Sequence, residues 1–212
     1  MAKRLDEPQD RLGFLRSLGT VMAGFVAERA EEAILGSGPR LLRPPGALEE
    51  FAFLTACTRC DRCMDACPQG AILRAPGSAR LALGTPFVDP RAMPCFLCAD
   101  MPCVAACPEG ALVWPRRTVT GGEAEGPRAA KMGTARVSKG GCLTWPGEDR
   151  PAQECRTCLD RCPFRGQASQ LVEGPAGGPS HPDVDAEACT GCGLCEFGCP
   201  TPVSAIEVEP RG

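Results

Sequence analysis

An α+β protein with little regular secondary structure is predicted, built as two tandem modules of small strands and short helices around cysteine loops. Three observations predict it. The 16 cysteines of the 212-residue chain fall into four runs with none left over. Every run ends in Cys-Pro. Short segments of strand character flank the runs, so each repeat reads as strand, cysteine loop with one helical turn, strand.

The fourth run is the most regular: Cys189-Thr-Gly-Cys192-Gly-Leu-Cys195-Glu-Phe-Gly-Cys199-Pro. The first has the same spacing, with Cys57, Cys60, Cys63 and Cys67 before Pro68. The second holds Cys95, Cys98, Cys103 and Cys107 before Pro108, with its middle gap widened by two residues. The third holds Cys142, Cys155, Cys158 and Cys162 before Pro163, with twelve residues in its first gap. After each Cys-Pro comes an alternating segment: Ala71-Ile72-Leu73, Ala111-Leu112-Val113, Ser169-Gln170-Leu171-Val172 and Ala205-Ile206-Glu207-Val208. Before the last three runs come Phe87-Val88-Asp89, Ala135-Arg136-Val137 and Asp183-Val184-Asp185. The stretch Gly121-Gly122-Glu123-Ala124-Glu125-Gly126-Pro127 reads as a linker. The expected division is a leader-like helix and linker over residues 1–45, a first module over 46–115, a linker over 116–130 and a second module over 131–210.

Ahead of the repeats, Arg11-Leu12-Gly13-Phe14-Leu15-Arg16 precedes an uncharged run over residues 18–27. It resembles a twin-arginine export signal, but Leu12 stands where the second arginine belongs. Ten residues are too few to span a bilayer, so no transmembrane segment is expected. Val21, Phe25, Val26 and Ala30 fit one helical face. A retained, cytoplasmic leader is the favoured expectation, with periplasmic export as the alternative. Residues 36–46 read as an extended linker, and residues 47–56 as a short helix that delivers the chain to Cys57.

Composition limits the core and the partners. Gly numbers 25 and Pro 22, Tyr is absent and aromatics are 5%. Such a chain cannot build a large conventional core and must be held by cross-links or metal. The net charge of −3 and the absence of a basic block exclude a nucleic-acid footprint. Disulfide frameworks scatter cysteines across loops, whereas these are clustered. Structural zinc uses two separated cysteine pairs, which triplets with a remote fourth do not match.

The spacing is the bacterial iron–sulfur ligand run. Cys-x2-Cys-x2-Cys lets a tight loop wrap three corners of a cubane. The fourth cysteine sits one helical turn on, points away, and serves the other cluster of a two-cluster module. The modules are therefore expected to be bacterial two-[4Fe-4S] ferredoxin-like units holding four [4Fe-4S] clusters. Cys57, Cys60, Cys63 and Cys107 would hold the first cluster, and Cys67, Cys95, Cys98 and Cys103 the second. Cys142, Cys155, Cys158 and Cys199 would hold the third, and Cys162, Cys189, Cys192 and Cys195 the fourth.

Neighbouring residues carry lesser expectations. Gly191 and Gly193 allow positive φ beside the cluster sulfides. The run-ending prolines turn the chain out of each loop. Phe96, Phe164 and Phe197 are read as shields against water. His181, the only histidine, cannot make a Rieske centre, which needs two. It sits between Pro and Gly residues and reads as solvated. The long gap in the third run reads as an insertion that keeps Cys142 in place, with Trp145 as its partner-contact residue if it docks.

The irregularities make the chain similar to the NapG/MauM family of ferredoxin-type proteins from periplasmic nitrate reduction and methylamine utilisation. They are Leu42-Arg43-Pro44-Pro45-Gly46-Ala47, the widening before Cys103 with Met101-Pro102, Lys131-Met132-Gly133, and the stretched gap after Cys142. The resemblance covers residues 41–210. It implies a four-cluster electron carrier, not an enzyme, between a membrane quinol dehydrogenase and a terminal reductase. The alternative is a cluster-stabilised structural or assembly subunit of a redox complex. No G-x-G-x-x-G opening a helix and no P-loop suggests a nucleotide cofactor.

Overall fold

The structure is a computed structural model describing residues 39–119, 122–147, 149–174 and 177–211. The leader-like helix expected over residues 1–36 lies outside them. From Arg40 onward the chain forms one compact unit.

Five helices are described: α1 Glu50–Ala56, α2 Arg62–Asp65, α3 Pro102–Ala105, α4 Thr157–Arg161 and α5 Leu194–Gly198. The strands are β1 Ile72–Arg74, β2 Pro86–Val88, β3 Arg116–Val119, β4 Gly122–Glu125, β5 Gly133–Val137, β6 Ser169–Val172, β7 His181–Val184 and β8 Ile206–Pro210. Short 3-10 segments cover Gly77–Ala82 and Gly126–Ala129. Among the described residues the strands form four antiparallel pairs: β1 with β2, β3 with β4, β5 with β8, and β6 with β7.

The second half is the more regular. β5 lies along β8 from Gly133↔Pro210 to Val137↔Ile206, and the buried Ala135 faces the buried Val208. β6 and β7 make the inner hairpin from Ser169↔Val184 to Val172↔His181. The first half keeps the inner hairpin, with buried Ile72 opposite buried Val88. Its outer ladder is reduced to one bridge, Ala47↔Leu112, so the strand expected at Ala111-Leu112-Val113 does not form. The extended stretch before α1 compensates. Arg43 is buried, donates to both Glu50 carboxylate oxygens, to Thr85 Oγ1 at 2.8 Å and to the Pro86 carbonyl at 2.9 Å, and lies 4.7 Å over the Phe53 ring. A side chain this polar is buried only because each of these donors finds an acceptor.

The stretch read as a linker is regular. β3 and β4 make a hairpin with Arg116 opposite Glu125. Arg117 donates to the carbonyls of Ala129 (3.1 Å) and Glu187 (2.6 Å), and Lys131 donates to that of Cys189 (2.9 Å). The Arg116–Glu125 pair and the anchoring of Arg117 favour pairing where the glycines had suggested irregular chain.

Among the described residues the larger of two apolar clusters runs through both halves, from Leu42 and Phe53 to Ile206 and Val208, and includes Cys63, Cys103, Cys189 and Cys192; the smaller is Ala75, Ala79 and Ala82. Helices of four or five residues are too short to stand alone. They persist by packing in pairs, α2 on α3 and α4 on α5. Among the described residues, no helix is long and apolar enough to cross a membrane.

Candidate metal centres

Four cavities are each lined by four cysteines. The first collects Cys57, Cys60, Cys63 and Cys107. The second collects Cys67, Cys95, Cys98 and Cys103. The third collects Cys142, Cys155, Cys158 and Cys199. The fourth collects Cys162, Cys189, Cys192 and Cys195. Each set takes three cysteines from one run and the last from its neighbour. The cause is local: the third cysteine is the second residue of a one-turn helix, and the fourth follows the helix end, where it lines the neighbouring cavity.

Three of the four loops use left-handed backbone two residues after the first cysteine and two before the third. In the fourth run these are Gly191 (φ 73°) and Gly193 (φ 87°). A Cβ on Gly191 would lie 2.3 Å from the Gly133 nitrogen, so glycine is needed for space as well as for φ. The same offsets in the first run hold Arg59 (φ 58°) and Asp61 (φ 64°), and in the second Leu97 (φ 50°) and Met101 (φ 41°). Each non-glycine residue there costs about 1–2 kcal/mol. Sequence reading missed this strain, although aligning the four runs on their cysteines would have shown it. Arg59 is held by donating to the carbonyls of Leu83 (2.9 Å) and Leu81 (3.1 Å). Asp61 pairs with Arg74.

Burial keeps the thiols protonated as they stand. Burial, and then repulsion from Cys57, Cys103 and Cys107, pushes Cys63 up to about 12. Burial pushes Cys95 up to about 12, and Cys103, Cys158 and Cys192 up to about 11. Cys195 is raised further by the same cause. Cys199 is the exception: burial raises it, but hydrogen bonds from Thr201, Ala205 and Ser204 bring it below the usual thiol value. Four converging thiolates with low-dielectric walls require a compensating cation. All sixteen cysteines are free of disulfides. Among the described residues, no three His, Cys, Asp or Glu side chains converge on a single-ion site. Four thiols around a cavity rather than around a point suit an iron–sulfur cubane and not a lone zinc ion.

Several sulfurs accept hydrogen bonds. Thr201 Oγ1 lies 3.0 Å from Cys199 Sγ, and Thr144 Oγ1 3.3 Å from Cys142 Sγ. The Ala205 amide donates to Cys199 Sγ (3.3 Å), the Ala135 amide to Cys189 Sγ (3.5 Å) and the Leu112 amide to Cys107 Sγ (3.5 Å). Phe96 and Phe164 line the second and fourth cavities. Phe197 is 45% exposed and lines none of the four.

His181 is not solvated. It is 7% exposed, opens β7 opposite Val172, and stacks on Trp145 with ring centroids 4.0 Å apart. Among the described residues, neither ring nitrogen has a partner. The flanking glycines and prolines suggested a loop, but pairing with β6 draws the residue inward. Trp145 is thereby half-buried rather than a free anchor. Its loop folds back on Cys142: Arg150 donates to the carbonyls of Cys142 (2.9 Å) and Leu143 (3.1 Å).

Comparison with known proteins agrees with this chemistry. The 4Fe-4S dicluster domain family matches residues 56–111, and the 4Fe-4S binding domain family matches residues 180–201. The methylamine utilization ferredoxin-type protein MauM of Paracoccus denitrificans is 41% identical over 175 residues, 81% of this chain and 72% of that protein. MauM of Methylobacillus flagellatus is 38% identical over 98% of this chain and 86% of its own length. The ferredoxin-type protein NapG of Escherichia coli is 36% identical over 98% of this chain and 89% of its own. No solved structure shows a significant match. The chain belongs to the MauM/NapG family of ferredoxin-type proteins and is a [4Fe-4S] electron-transfer protein.

Proposed function

We propose that the protein carries four [4Fe-4S] clusters, one per cavity, in two tandem two-cluster modules, residues 46–115 and 131–210. Through them it passes electrons from a quinol-oxidising membrane donor to a terminal oxidoreductase. The observation that carries this reading is the set of four cavities, each lined by four cysteines. Each cluster, when bound, supplies one-electron exchange without proton or group transfer. The chain's own residues do the rest. Leu112, Ala135 and Ala205 offer amides to cysteine sulfurs, and Phe164 covers part of the wall of the fourth cavity. Every cavity has a full cysteine set, which leaves no open iron position for a substrate and supports a carrier rather than a catalyst. The donor and acceptor are inferred from the family resemblance. So is location: Leu12 in place of a second arginine favours the cytoplasm, and recovery of native protein from a periplasmic fraction would overturn that part.

A second reading has an observation behind it. Cys63, Cys103, Cys189 and Cys192 belong to the core, so clusters here also hold the fold. Anaerobic redox titration followed by EPR separates the two. A carrier shows clusters reduced and reoxidised reversibly within about −700 to +450 mV. Clusters that never change state in that window would make the protein a structural or assembly subunit.

A further inference from the structure

We propose that electrons cross between the two halves at one junction, where the Cys95 loop meets the Cys192 loop, so that the cavities are used in the order first, second, fourth, third. The inference rests on the four-cluster reading above and adds the path. At each step one electron leaves a reduced cluster and enters an oxidised one; no proton or group moves.

The Cys95 amide donates to the Cys192 carbonyl at 2.9 Å. Cys95 lines the second cavity and Cys192 the fourth. The two candidate ligands are thus joined backbone to backbone across the boundary between the halves. Tunnelling falls steeply with distance, and a route of covalent bonds and one hydrogen bond is a short one. The contact is also pinned. Pro90 packs so close to Gly193 that a Cβ on the glycine would lie 2.6 Å from the Pro90 Cβ. Arg91 Nε donates to Glu196 Oε1 at 2.9 Å, and the Val208 amide donates to Glu196 Oε2 at 2.7 Å. Glu196 is buried at 6% exposed and held by two donors, while Arg91, 50% exposed, reaches it from the surface. Arg91 and Glu196 are therefore positioning residues for the crossing.

The remaining steps follow from helix pairing within each half. α2 carries Cys63 and packs on α3, which carries Cys103, linking the first cavity to the second. α4 carries Cys158 and packs on α5, which carries Cys195, linking the third to the fourth.

Two double variants of the full chain test the order by EPR of the reduced protein. C60A with C155A removes a ligand from the first and third clusters and leaves the second and fourth, one from each half. The expected result is iron lowered to about 8 per chain, with the two remaining signals still splitting each other. C98A with C195A leaves the first and third clusters, and their signals should be unsplit. Unsplit signals in the former, or split signals in the latter, overturn the order. Where a double variant does not accumulate, R91A keeps every cysteine. Full iron with weakened splitting between the halves is then expected, and unchanged splitting overturns the junction. A wild-type protein with well under about 16 iron would instead overturn the four-cluster reading, and the order with it.

Discussion

The first half closes its outer edge with a single bridge, Ala47 to Leu112, where the second lays all of β5 along β8. The first half replaces the missing ladder with a buried arginine, Arg43, and with α1. The second half builds its regular cysteine loop on Gly191 and Gly193, where the first forces Arg59 and Asp61 into the same left-handed backbone. The environments of the sulfurs differ as well. The third cavity sets the hydroxyls of Thr144 and Thr201 beside cysteine sulfurs, while the first has Asp61 and Glu109 in its wall. One duplicated plan has thus been held together by sheet in one copy and by side-chain bonds and strain in the other.

The largest effects come from breaking the exchange of fourth cysteines that both halves share. Cys199→Ser should damage chiefly the cluster of Cys142, Cys155 and Cys158, and Cys107→Ser that of Cys57, Cys60 and Cys63. Each should lose about four iron per chain. Iron analysis with EPR checks this, and loss confined to the cluster of Cys189, Cys192 and Cys195 in the first variant contradicts the crossing.

Next come the left-handed positions. Gly191→Ala adds strain of about 1–2 kcal/mol and a clash with the Gly133 backbone. With overpacking included, about 3 kcal/mol of destabilisation is expected in anaerobic denaturant unfolding. Arg59→Gly, at the equivalent place in the first run, should stay within about 1 kcal/mol of wild type, because relieved strain offsets added chain entropy and the loss of two exposed hydrogen bonds. Equal costs at the two positions would remove the contrast.

Arg43→Ala should destabilise the chain by about 2 kcal/mol. The figure is reduced from that of a fully buried pair because Glu50 is 36% exposed. Hydrogen exchange should quicken at Val88, whose amide bonds the Leu42 carbonyl, before it does in β5 and β8. Simultaneous loosening would mean that the arginine does not stand in for a ladder.

The smallest effect is on potential. Beside a thiolate ligand, the buried Thr144 hydroxyl, 3.3 Å from Cys142 Sγ, must donate. Such a bond raises the potential of its cluster. At about 1 kcal/mol, Thr144→Val should lower one midpoint by about 40 mV, with the other three unmoved. A shift spread over all four would point to a structural change instead.

Much of this was legible in the sequence because cysteine spacing is a geometric instruction. A fourth cysteine one turn beyond the third must leave on the far side, and the cavities collect it there. The inner hairpins were readable from Ile72, Val88, Leu171 and Val184 for the same reason of short period. What escaped was decided by distant partners. Nothing local shows that Arg43 finds Glu50, Thr85 and Pro86, or that His181 is drawn under Trp145. The hairpin of β3 and β4 was hidden by its glycines, since its cross-strand charges matter only once the strands face each other. The strain at Arg59 and Leu97 was visible only by comparing repeats.

The central claim, one cubane in each of four four-cysteine cavities, is tested most directly by iron and acid-labile sulfide analysis of anaerobically purified protein. About 16 of each per chain is predicted. About half that amount would remove one module's clusters and contradict the account.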